Sequence, residues 1–188
     1  MTTATHFHSR VTRSLPGAIR DVDVDGIFTG YASIFGSEDR ARDIIKPGAF
    51  KNSIRRYGLS GIKMLWHHNP GEPIGYWLDI YEDSFGLAVR GRLLSGVSKA
   101  DEVLVLLRSG AIDGLSIGFR TIKARTDKAL GIRYLLEVDL WEISIVTFPM
   151  LSAARVRTIK TIKAFENTKQ AREHCLIERM QRLTGTVK

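Results

Sequence analysis

Ser116 sits in the string GLSIGF. If that string is a strand, Leu115, Ile117 and Phe119 face a core, and Ser116 shares the other face with Gly118 and Arg120. A serine between small residues on an accessible face has room for a substrate carbonyl. Its hydroxyl is a weak nucleophile until a base takes the proton. Without a partner it is a plain strand serine, so the histidines decide. His6 and His8 lie near the start and His174 near the end, whereas His67 and His68 fall in LWHHNPGEPIG, where a strand runs into a polar turn. An imidazole there, titrating near 6.5, suits proton transfer at neutral pH. Adjacent residues at a strand end point to opposite faces, so one of the pair is expected to serve; a surface turn is the alternative.

Two consecutive histidines with no cysteine partner give no zinc spacing, and no metal or other cofactor is expected. An imidazole base also needs an acceptor for its second nitrogen. LLEVDLWEISIVTFP offers Glu137, Asp139 and Glu142. Glu142 is flanked by Trp141, Ile143 and Ile145, where a carboxylate is costly unless paired; an arginine is the competing partner. GLSIG also matches the G-x-S-x-G elbow, which requires strand, sharp turn and helix, with the histidine downstream. FRTIKAR reads instead as continuing strand, so the match is coincidental. An esterase-type hydrolase built on Ser116 and His174 is the alternative enzyme.

These residues need elements to hold them. Ile27, Tyr31 and Phe35 alternate with smaller residues up to Gly36, a strand pattern. SEDRARDII reads as a loop, and Pro47-Gly48 opens a short helix ended by Gly58. Strands follow in IKMLWH, in PIGYWLDIY with Ile74, Tyr76, Leu78 and Ile80 on one face, and in GLAVRGRLL with Leu87, Val89 and Leu93 on one face. Ser98 as N-cap, Asp101 in the first turn and Gly110 as stop predict a helix. Residues 114–125, 132–140 and 141–148 return to strand, with TDKALG as a hairpin loop and Pro149 ending the sheet. Asn167 caps an expected amphipathic helix carrying Ala171, Leu176, Met180 and Leu183. Closely spaced strands with turn signals predict an antiparallel sheet or small barrel.

The chain of 188 residues is 44% hydrophobic and 26% charged, the composition of a globular domain with appended segments. One cysteine, Cys175, excludes an internal disulfide and suits a reducing compartment. No stretch reaches the roughly 18 apolar residues that span a bilayer, and the first twenty residues lack a signal-peptide core. A cytoplasmic protein with no membrane partner is expected. The net charge of +8 is uneven: residues 151–188 hold nine Lys and Arg against three Glu, leaving only +2 for residues 1–150. A nearly neutral body argues against nucleic acid as the main partner, and the basic tail reads equally well as a solvated helix face.

Taken together, GYASIFG, the D-I-I-x-P-G-A-F string at 43–50, MLWHHNPGEPIG, EDSFGLAVRGRL, LLRSGAIDGLSIGF and DLWEISIVTFP resemble the prohead maturation proteases of tailed phages. The resemblance covers about residues 26–150 and rests on several motifs in order; Asn69 departs from the Asp the family often shows. It implies an α+β fold similar to the herpesvirus assembly proteases: a small, mostly antiparallel β-barrel flanked by helices. Residues 1–25 would be a flexible lead-in, 26–150 the protease domain and 151–188 a basic helical tail open to self-cleavage.

The resemblance further implies a serine endopeptidase with Ser116 as nucleophile, His68 as base and Glu142 as the third member. Herpesvirus enzymes use a second histidine in that third place. The implied substrates are the scaffolding segment of the major capsid protein and the enzyme itself, cut inside the procapsid in the host cytoplasm, with homo-oligomerisation a further expectation. Amides near Gly118, or after Pro149, are candidates for the oxyanion. A non-catalytic capsid-assembly factor is the remaining alternative.

Overall fold

The computed structural model describes residues 26–157, so the expected lead-in, the Asn167 helix and His174 lie outside the described residues. Within that span the order is β1 (Ile27–Ile34), β2 (Asp43–Ile45), α1 (Lys51–Gly61), β3 (Lys63–Trp66), β4 (Asn69–Glu82), β5 (Gly86–Leu93), α2 (Ser98–Ser109), β6 (Gly114–Asp127), β7 (Ile132–Val146) and β8 (Val156–Arg157).

The strand β7 organises the sheet. The hairpin partner β6 runs antiparallel along its whole length, from Gly114 opposite Val146 to Asp127 opposite Ile132. On its other edge β2 pairs with the first part of β7 and β3 with the last part, both parallel. From β3 the sheet continues antiparallel through β4, β5, β1 and β8. It then curls back: the Leu115 amide donates to the Ala154 carbonyl, the Val156 amide to the Asp113 carbonyl, and Gly114 bridges Arg155. The sheet is therefore mixed. β2 and β3 each reach β7 through long connections rather than tight turns, and long connections leave strand direction free. A core of Phe28, Met64, Ile74, Leu87, Leu115 and Ile143 fills the curl, each side chain contributing about 1.5–3 kcal/mol of burial. α1 packs on β4 and β7, and α2 on β4 and β5.

Several local expectations shift. Asp43–Ile45 is strand rather than loop, tied to β7 by the Arg133 guanidinium, which donates to both Asp43 oxygens at 2.7 and 2.5 Å. In β1 the buried hydrophobic residues are Phe28, Ala32 and Ile34, while Tyr31 turns outward to Asp83. In β4 a bulge between Trp77 and Asp79 puts Trp77 and Ile80 on the buried face and leaves Tyr76 exposed. α1 breaks at Gly58, whose φ of 60° is not helical, and resumes for a further turn. Ser98 is the first residue of α2 and Val97 holds the cap position without a side-chain bond, whereas Gly110 closes the helix at φ 71° as expected. Residues 132–146 form one strand, not two, and the sheet does not end at Pro149, because β8 adds to β1.

Candidate active site

The register around β7 sets the site. Ser144 lies opposite Leu65 of β3 on one side and opposite Ser116 of β6 on the other; Glu142 lies opposite Lys63 and Gly118. One strand therefore separates the serine from the hairpin that carries the histidines, and adjacent strands lie only about 4.8 Å apart.

The β3–β4 hairpin turns through His67 and His68 alone, with Trp66 paired to Asn69. Both histidines have positive φ, 50° and 62°. A two-residue turn with φ > 0 at both positions normally takes Asn-Gly; two histidines there cost about 1–3 kcal/mol each. Backbone bonds hold the turn against that strain: the His67 amide donates to the Ile145 carbonyl at 3.1 Å, and the His68 amide to Ser144 Oγ at 3.0 Å. The turn sends the rings apart. His67 packs against Trp66 and meets Thr147 Oγ1 through Nε2 at 3.2 Å. His68 turns toward β6 and β7.

There His68 Nε2 lies 3.1 Å from Ser116 Oγ, and Nδ1 lies 2.6 Å from Glu142 Oε1. An ionised carboxylate only accepts, so Nδ1 carries the proton and Nε2 is left to accept from the serine hydroxyl. The bond to Glu142 raises the His68 pKa above its usual 6.5, against partial burial, which lowers it. Ser116 is 4% exposed, whereas the His68 side chain is 43% exposed. Glu142 Oε2 accepts from Ser144 Oγ at 2.6 Å.

The other acidic candidates point elsewhere. Glu137 accepts from Asn52. Asp139 accepts from Tyr57, Arg120 and Trp141, and the first of these bonds leads in holding its carboxyl below the ordinary range. The arginine-paired carboxylate considered for Glu142 is thus Asp139. The strand of Ser116 runs on to Asp127 with no sharp turn into a helix, so the elbow geometry is absent there. Gly118 lacks a Cβ for a specific reason: one would collide with the Glu142 carboxylate.

A pocket of ≈ 140 Å³ opens at Ser116, in the seam between β1 and β6. Ala32, Ile45, Ile117, Phe119 and Leu151 give it an apolar lining, and Met150 brings the stretch after Pro149 to the same place. No group of three or more metal-ligating side chains occurs among the described residues. Ser144 was not among the sequence candidates. Its i, i+2 spacing from Glu142 on one strand was the available signal.

A family model described as Caudovirus prohead serine protease matches residues 16–171. The prohead protease of Enterobacteria phage HK97 is 36% identical over 143 residues, covering 75% of this chain and 63% of that protein. The prohead protease of Escherichia phage T5 is 28% identical over 141 residues, covering 74% and 65% respectively. The chain thus spans less than two thirds of the length of both relatives. The solved structure of the bacteriophage T4 capsid assembly protease matches in fold, with a TM-score of 0.51 at 16% identity, over 64% of this chain and 80% of that one.

Proposed function

This chain belongs to the caudovirus prohead serine protease family, and from that premise we propose that it is a serine endopeptidase of phage prohead maturation, with Ser116 as nucleophile, His68 as base and Glu142 as the group that orients it. The single observation that carries the reading is the bridge made by His68, bonded through Nε2 to Ser116 Oγ and through Nδ1 to Glu142 Oε1.

In the proposed mechanism Ser116 Oγ attacks a peptide carbonyl and its proton passes to His68 Nε2. Glu142 keeps the proton on Nδ1 in place and balances the imidazolium that forms. As the peptide bond breaks, His68 returns the proton to the leaving amine. A water then repeats the sequence on the acyl ester, releasing the acid and restoring the serine. The oxyanion would be held from the stretch after Pro149, since Met150 and Leu151 line the pocket beside Ser116. That apolar lining favours an apolar substrate side chain next to the scissile bond.

The proposed substrates are the scaffolding segment of the major capsid protein and the enzyme's own basic tail, cut inside the procapsid in the host cytoplasm, with a homo-oligomer as a further proposal. β8 belongs to the folded sheet although it follows residue 150. Self-cleavage that spares the body would therefore fall beyond Arg157. The fold reading that accompanies this is a small, mostly antiparallel barrel of the herpesvirus assembly protease type, supported by the curl of the sheet back to Gly114.

Co-expression with the cognate capsid protein tests the proposal. Wild type should shorten the capsid protein and itself, while Ser116→Ala and His68→Ala should leave both at full length. A capsid protein left whole by wild type would favour an assembly factor, and truncation persisting in both variants would point to a host protease.

A further inference from the structure

Ser144 is fully buried near the C-terminal end of β7, the strand that separates the serine from the histidine hairpin. Buried hydroxyls on a strand commonly bond a nearby carbonyl. This one does something else: it uses both of its hydrogen-bonding functions on the site. As donor it reaches Glu142 Oε2 at 2.6 Å, and as acceptor it takes the His68 backbone N–H at 3.0 Å. Glu142 Oε1 is meanwhile occupied by His68 Nδ1 at 2.6 Å. One oxygen atom therefore ties the main chain of the base to the carboxylate that orients its ring.

We infer that Ser144 is a positioning residue, whose hydroxyl locks the strained His67–His68 turn and the Glu142 carboxylate into a single geometry. Each partner loses one of its restraints without it. His68 has φ 62°, a conformation that a non-glycine residue keeps only when its surroundings enforce it. Glu142 has a glycine, Gly118, as its partner on β6, so no side chain at that position backs its carboxylate. A Ser144 hydroxyl in place restrains both. Removing it frees the carboxylate to rotate off Nδ1 and leaves the His68 amide without its acceptor. The inference deepens the protease reading and rests on it for its catalytic meaning, but the geometry can be tested apart from catalysis.

The experiment follows the His68 ring by NMR titration in the full chain, wild type against Ser144→Ala, alongside labelling of Ser116 by a fluorophosphonate and the melting temperature. The titratable group bonded to the ring is Glu142 from β7; His67 in the same turn is the second imidazole to be assigned, and Glu72 of β4 bonds Asn69, the residue after His68. The expected result is a His68 midpoint that falls toward 6.5, with labelling slowed roughly 10- to 100-fold. An unchanged midpoint with only a lower melting temperature would mean that Ser144 is merely structural, and a raised midpoint would mean that the hydroxyl only withdraws charge from Glu142; either overturns the inference. Ser144→Cys, close in shape and a weak donor, repeats the comparison if the alanine variant does not fold. Wild type that resists the fluorophosphonate would sink the enzyme reading while leaving the titration to decide the role of Ser144.

Discussion

The Glu142 carboxylate lies across Gly118 on the neighbouring strand: a Cβ at position 118 would sit 2.8 Å from the carboxyl carbon and closer still to Oε1. The two glycines of GLSIG therefore have different duties. At Gly114 the added atom would meet the Val146 carbonyl and the Pro149 ring, which belong to the body of the fold. At Gly118 it would meet a side chain that can swing, and that side chain belongs to the site.

Gly118→Ala should for this reason cost activity far more than stability. Displacing the carboxylate from His68 is expected to lower kcat/KM by about 10²- to 10⁴-fold, the scale of losing the third member of such a constellation. The overpacking itself should cost no more than about 1–3 kcal/mol. Gly114→Ala should show the reverse balance. Peptide cleavage and urea denaturation on both variants check the contrast, and equal losses of both quantities in the two variants would refute it.

The acid limb of the pH profile should report the His68–Glu142 bond. A base must be neutral to accept the serine proton, so activity falls as pH drops through the His68 pKa. Because the bond to Glu142 raises that pKa, the limb should lie above 6.5 in wild type and move to lower pH in Glu142→Gln, together with a kcat loss of roughly 10³- to 10⁴-fold. The linked effect on stability has the opposite sense. A raised folded-state pKa contributes stability below 6.5, and that contribution is lost as pH rises through the folded value. Glu142→Gln should flatten that slope in denaturation curves taken from pH 5 to 8.

Adjacent histidines should behave differently. His68→Ala is expected to abolish turnover, by at least about 10³-fold. His67→Asn keeps a residue that tolerates positive φ and removes only the contacts with Trp66 and Thr147, so turnover should stay within about threefold of wild type. Steady-state kinetics on the two variants decide this, and comparable losses would assign the wrong imidazole.

Arg133 should matter for stability through Asp43. The carboxylate is 4% exposed, and each of its oxygens accepts a bond from the one guanidinium, which is itself about half exposed. Arg133→Ala leaves that carboxylate buried with its charge uncompensated. Solvent reaching the open side reduces the penalty below that of a fully buried pair, to about 1–3 kcal/mol. Urea denaturation measures it. Asp43 also borders the pocket at Ser116, so KM should rise more than kcat falls.

Much of the candidate site was legible from residue types. Ser116 stood out by its small neighbours, the histidine pair by its place at a strand end, and Glu142 by a carboxylate in an apolar run. Ser144 was hidden because its i, i+2 spacing from Glu142 gains meaning only with its other partner, a main-chain amide in the β3–β4 turn 76 positions away. The same cause explains the short strand at Asp43–Ile45 and the exposed Tyr76. A three-residue strand is made by the strand it joins, and a bulge reverses the faces that alternation predicts.

The amino-acid order alone determined the candidates, most of the strands and both described helices, since these follow from period, capping and turn chemistry over a few residues. The tertiary structure decided which histidine reaches the serine, which of three carboxylates stands behind it, and what Gly118 is for. Those answers depend on register. Ser116 and His68 lie 48 positions apart, and only the placing of one strand between theirs, in one alignment and with a strained turn at its edge, brings an imidazole and a hydroxyl into contact.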